Sequence, residues 1–156
     1  MESIGQLFQN RVLIVAVLSW FIAQCAKVVI ILIRDRRFRI RRLIGSGGMP
    51  SSHSAFAAAL SMGLGLHEGF DSPVFALATA FTLIVMYDAA GVRRAAGTHA
   101  RALNQIRDIL EDIIEKGKPL DERRLMELIG HTPVEVIVGA ALGIAMAYLS
   151  EFMGLY

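Results

Sequence analysis

Residues 12–33 form a nearly continuous apolar run, interrupted chiefly by Gln24 and Lys27. As a helix rising 1.5 Å per residue, the run is roughly 33 Å long, enough to cross a bilayer. Inside lipid every backbone N–H and C=O must be satisfied within the protein, so a chain built around such a segment is helical or a closed barrel. A cleaved signal peptide is the competing reading. The length of the run, Lys27 within it and the arginines after it weigh against that reading.

Three further apolar stretches follow, at residues 52–66, 74–90 and 132–149, and the first of them is rich in Ala and Gly. Hydrophobic residues make up 54% of the chain and charged residues 19%, against about 25% charged in soluble proteins. Membrane insertion accounts for this. The expected fold class is an all-α integral membrane protein, a bundle of about four transmembrane helices. Its 156 residues suit one domain, residues 1–156. Cys25 is the single cysteine and cannot form an internal disulfide. No Cys/His spacing suggests zinc.

Residues 95–130 read differently. Ala96, Ala100, Leu103, Ile106 and Leu110 recur at three- and four-residue steps, with Arg101, Arg107, Asp108 and Glu111 between them. That is an amphipathic helix and not a spanning one. It should end at Lys116-Gly117-Lys118-Pro119, and Asp121 should cap a short helix closed by Gly130. Such an insert suits a packed helical hairpin and an interfacial helix equally.

Charge placement sets the expected topology. Arg34, Arg36, Arg37, Arg39, Arg41 and Arg42 crowd the first connection, and the 93–131 segment holds every other Lys and Arg except Arg11 and Lys27. The two segments share a side. The positive-inside rule places that side in the cytoplasm and both termini outside, as in a multi-pass protein of the plasma or inner membrane. Gly139 and Gly143 form a GxxxG pair that permits close helix contact. Packing within the bundle is the first reading of that pair, and a homodimer is the second.

Every apolar segment brings ionisable groups to this same face: Lys27 and Arg34, then His53, then Asp88, Arg93 and Arg94, then His131 and Glu135. Ionisable residues at membrane depth usually face the bundle interior and mark function. Gly47-Gly48-Met49-Pro50-Ser51-Ser52-His53-Ser54 opens the second segment. Glycines that permit close approach, a Pro at a helix start and hydroxyls at its positive end suit a bound phosphate. The bland reading is a Ser-rich helix cap. Thr132-Pro133-Val134-Glu135 likewise reads as a capping box. Taken together, two histidines, a carboxylate and several cations can support phosphoryl transfer to a histidine.

The ordered set resembles the type 2 phosphatidic acid phosphatase superfamily, which includes the vanadium-dependent haloperoxidases. It is most similar to the small, divergent membrane branch described as acid phosphatase/haloperoxidase-related. That superfamily carries Lys-x6-Arg-Pro, Pro-Ser-Gly-His and Ser-Arg-x5-His-x3-Asp. Here Lys27 and Arg34 have the first spacing, with Asp35 in place of Pro. Pro50-Ser51-Ser52-His53 has Ser52 in place of Gly, and His131-x3-Glu135 has Glu in place of Asp. Leu125 stands where the third motif's Arg belongs, and Arg93 or Arg94, beyond the insert, is the candidate substitute.

The resemblance implies His131 as nucleophile, Glu135 as its orienting partner and His53 as general acid. Lys27, Arg34, Ser51, Ser52 and Arg93 or Arg94 would hold phosphate, with Asp88 in support. It implies no metal and no cofactor. The partners it implies are the bilayer and a phospholipid phosphate; no nucleic-acid partner is expected. A cytoplasmic site favours phosphatidylglycerophosphate as substrate, then phosphatidate, over an isoprenyl pyrophosphate. The rival is a phospholipid-binding or scaffold protein without turnover.

Overall fold

The computed structural model describes residues 2–35, 48–113, 125 and 130–155, with residues 2–4, 34–35 and 111–113 described in backbone only. The arginine run from residue 36 and the expected short helix after Asp121 lie outside these, apart from Leu125. Six helices are described: α1 Glu2–Leu7, α2 Arg11–Asp35, α3 Ser52–Glu68, α4 Pro73–Ala90, α5 Val92–Ile113 and α6 Pro133–Phe152. No strand occurs among the described residues. The start of the chain, read as merely polar, forms the short helix α1.

Among the described residues, three stretches are long and apolar enough to cross a membrane: Arg11–Ile33, Pro73–Leu110 and Pro133–Phe152. The second expected segment, α3, has 17 residues, at the short end of the spanning range. It is the central helix, packed against α2, α4 and α6. Its side toward the neighbours is built from Ser54, Ala55, Ala58, Ala59, Ser61 and Gly63, all buried. Small side chains let helices approach closely where lipid supplies no hydrophobic drive between them.

Gly139 and Gly143 are the other half of this contact. A Cβ on Gly139 would collide with the Ser51 backbone, and one on Gly143 with the backbone of Ala55 and Ala59. The GxxxG pair is therefore spent on the α3–α6 seam. The outward side chains are large and apolar, among them Phe21 on α2, Phe81 on α4 and Leu149 on α6, each more than half exposed. A bundle that places its small residues inside and its large apolar residues outside suits lipid and not water.

α4 starts on Ser72, whose Oγ accepts the Phe75 N–H at 3.2 Å, with Pro73 in the first turn. It ends at Gly91, and α5 begins one residue later. The insert helix thus starts three residues earlier than its periodicity predicts. Among the described helices, α5 packs on α4 alone. Its buried positions are Gly97, Ala100 and Asn104, while Leu103, Ile106 and Leu110 of the apolar stripe are exposed. Asn104 marks the packed face: its amide donates to the Leu125 carbonyl at 3.0 Å and its Oδ1 accepts the Leu125 N–H at 3.2 Å. This side chain pairs like a backbone group, and the side that carries it turns inward.

Candidate active site

Lys27 sits in the apolar run of α2 and is only 4% exposed. A buried ammonium needs partners, and its Nζ lies 3.4 Å from Ser52 Oγ. Gly48, at φ +103°, passes over the Lys27 stem, in a conformation that glycine takes at little cost. Pro50 follows through a cis peptide.

Ser51 then caps α3. Its Oγ accepts the Ser54 N–H at 3.4 Å and lies 3.0 Å from Ser54 Oγ. Its own N–H donates to the Glu135 carbonyl at 2.9 Å, which ties the α3 start to the α6 start. Ser51, Ser52 and Ser54 are fully buried. Hydroxyls, a cation and a positive helix end therefore meet at one point, and that combination suits an anion. Ser54 went unassigned in the sequence, although it closes the same Ser-Ser-His-Ser string.

α6 is started by the capping box. Thr132 Oγ1 accepts the Glu135 N–H at 3.3 Å, and Glu135 Oε2 accepts the Thr132 N–H at 3.0 Å. The same Oε2 lies 3.2 Å from His131 Nδ1, so one carboxylate oxygen serves both the cap and the imidazole. The His131 N–H donates to the Ala89 carbonyl at 2.9 Å. Gly130, at φ +98°, lies against the Arg93–Arg94 backbone with no space for a Cβ.

His131 is 2% exposed, and its Nε2 is buried without a hydrogen-bond partner. Burial first, then the Lys27 charge, hold its pKa below the ordinary histidine range, against the opposing contact with Glu135. The ring is thus neutral near pH 7. A neutral ring that donates from Nδ1 to a carboxylate keeps its lone pair on Nε2. The His53 ring lies 6.5 Å away, centre to centre, edge-on at 61°.

The remaining candidates divide. Arg93 Nε bonds Asp88 Oδ2 at 2.7 Å across the α4–α5 junction, and its charge reaches His53. Arg94 is exposed and meets the site through its backbone, against Gly130. Arg34 lies in the last turn of α2, and its side chain is outside the described residues. His99 is exposed on α5. His67 pairs with Glu68 at 3.8 Å at the opposite end of α3. Among the described residues, no group of three or more His, Cys, Asp or Glu side chains gathers as a metal cage.

A family model described as "Divergent PAP2 family" matches residues 8–146. A Bacillus subtilis (strain 168) protein titled "Uncharacterized membrane protein YuiD" is 36% identical over 154 residues, covering 94% of this chain and 98% of the relative. No solved structure gives a significant match.

Proposed function

The chain belongs to the divergent PAP2 family, and from that premise we propose that it is a metal-independent lipid phosphatase working through a phosphohistidine. One observation carries the reading: His131 presents Glu135 at Nδ1 and a buried, unpartnered Nε2, with a second imidazole beside it. A buried polar atom without a partner costs free energy, and a ligand that bonds it removes that cost.

In the reaction, Lys27, Ser51, Ser52 and the α3 N-terminus hold the phosphate oxygens and stabilise charge in the transition state. Arg34 and Arg93 or Arg94 complete the cationic shell, and Asp88 positions Arg93. His131 Nε2 attacks phosphorus, forming P–N as the ester P–O bond breaks. His53 gives its proton to the departing lipid alkoxide. It then takes a proton from water, which attacks phosphorus and releases phosphate from His131. Glu135 stabilises the imidazole while it carries positive charge.

The substrate is a phosphomonoester lipid of the cytoplasmic leaflet, phosphatidylglycerophosphate first and phosphatidate second. Two arginine-rich connections on the site's side of the membrane support that orientation. A reporter fused to Tyr156 should then read outside the cell; a cytoplasmic signal would overturn the orientation and the substrate order with it.

Phosphate release tests the reaction. Purified protein in detergent should hydrolyse one of phosphatidylglycerophosphate, phosphatidate or an isoprenyl pyrophosphate without added metal. His131→Ala should lower the rate by about 10³-fold or more. A second reading, a phospholipid-binding protein without turnover, has its own observation in Arg93, which is engaged with Asp88. Tight vanadate binding that requires His131, together with turnover, would exclude it. Well-folded protein that releases no phosphate would establish it.

A further inference from the structure

A cavity of about 430 Å³ runs along the seam of α3 and α4 and reaches His53. Phe56, Leu60 and Leu64 line it from α3, and Leu77, Phe81 and Val85 from α4. Trp20 of α2 forms a further wall. Apart from His53, the one lining side chain with a hydroxyl is Thr82, whose Oγ1 lies 2.9 Å from the carbonyls of Ala57 and Ala78 and is satisfied there. The surface offered to an occupant is therefore apolar along its length and ionisable at one end only. That end lies beside the His131 cluster, since the His53 ring that lines it is 6.5 Å from the His131 ring. Leu77 and Phe81 are 60% and 61% exposed, so the groove opens sideways toward the bilayer.

We propose that this groove holds one acyl chain of the phospholipid whose phosphate the Lys27, Ser52 and His131 cluster binds. The proposal rests on the phosphate-binding reading of that cluster. The shape of the occupant follows from the lining: an anionic head at His53 and a single flexible apolar tail along the seam. From His53 to Leu64 the α3 axis advances ~17 Å, which an extended chain at roughly 1.2 Å per bond covers in about fourteen bonds. Lipid tails gain little free energy by leaving other tails for an apolar protein surface. The groove's contribution is therefore alignment: it sets which way a lipid must lie for its phosphate to meet Nε2.

Two experiments test the groove separately from catalysis. In the first, His131→Ala protein in nanodiscs is given phosphatidate with a photoreactive diazirine at the end of one acyl chain. Labels should concentrate near Leu64 and Leu77, and a diazirine placed near the head should move them toward Phe56 and Val85. Labels spread evenly over the lipid-facing residues of α2 and α6 would overturn the proposal, as would cross-linked pairs of chains through Leu77 and Phe81.

In the second, Ala57→Phe and Ala78→Phe fill the groove. The ratio of kcat/KM for a long-chain lipid phosphate to that for p-nitrophenyl phosphate should fall at least tenfold. An unchanged ratio in folded variants would overturn it. If the parent protein hydrolyses neither substrate, the phosphatase reading fails, while the photolabelling still decides the groove.

Discussion

The α3–α6 seam and the α5 insert meet at the same site and are built in opposite ways. At the seam, backbone packs against backbone. Gly139 and Gly143 lie on Ser51, Ala55 and Ala59, and Ser51 bonds the Glu135 carbonyl at 2.9 Å. Among the described helices α5 touches one, and it leaves Leu103, Ile106 and Leu110 exposed. The seam therefore holds Ser51, Ser52, His131 and Glu135 in one geometry. Arg93 rides on the first turn of α5 and reaches Asp88 across the α4–α5 junction. On the proposed function, the phosphate site would have two parts: a rigid half at the seam that aligns His131, and a half at the α4–α5 junction that supplies charge.

The largest effect should come from breaking the rigid half. Gly139→Val forces a side chain into the Ser51 backbone and should cost at least ~3 kcal/mol, read as a lowered thermal midpoint or loss of folded protein. Leu103→Gln on α5 should stay within about 0.5 kcal/mol. Equal costs would remove the contrast. Next comes Glu135→Gln, which keeps a capping residue but removes the carboxylate from His131. Phosphate release should fall at least ~10²-fold with the thermal midpoint nearly unchanged. A large stability loss with intact turnover would make Glu135 a cap alone.

Arg93→Ala should lower kcat/KM by about tenfold, the worth of one charge-assisted bond, and more than Arg94→Ala does. The reverse order would show that Arg94 turns inward when substrate binds. The smallest effect concerns pH. His131 must be neutral to attack, and burial and the Lys27 charge hold its pKa down. Activity should therefore persist below the ordinary histidine range near 6.5 and fall only as His131 protonates. Lys27→Met removes the second of those causes, so the acid limb of its residual kcat/KM should move to higher pH. A limb that stays in place would detach Lys27 from His131.

The helices were largely legible in the sequence because their ends carry chemistry that is local. Thr132 is the cap and Pro133 the first-turn residue of α6, as read; Ser51 caps α3 with Pro50 ahead of the helix and not in its first turn, and α4 takes Ser72 and Pro73 from the expected turn as its cap and first residue. That Lys27 faces the bundle interior followed from the rule for ionisable groups at membrane depth, while its place beside Ser52 was implied only by the family resemblance. What stayed hidden depended on contacts between distant segments. The α5 period left a packed hairpin and an interfacial helix equally open; Asn104, bonded to Leu125, marks the face that packs, and Leu103, Ile106 and Leu110 lie on the exposed one. Glu135 offered a choice between cap and imidazole partner; a single oxygen does both. That Asp88 supports an arginine of the site was legible; that the arginine is Arg93 depends on the turn at Gly91, which the helical period does not encode.

The contact of Gly130 with Arg93 and Arg94, together with the His131 bond to Ala89, means that the chain leaves the bundle and rejoins it at one place. To the bundle, everything between is a detour with no net displacement. Lengthening a loop whose ends already meet costs little, since closure entropy grows only with the logarithm of length. Gly130 and the Arg93–Arg94 backbone can thus be far apart in sequence and adjacent in space. The corollary is a shorter chain: one in which a few Gly and Ser residues replace 96–128 should keep the His131–Glu135 seam, and from it one could learn what the detour adds.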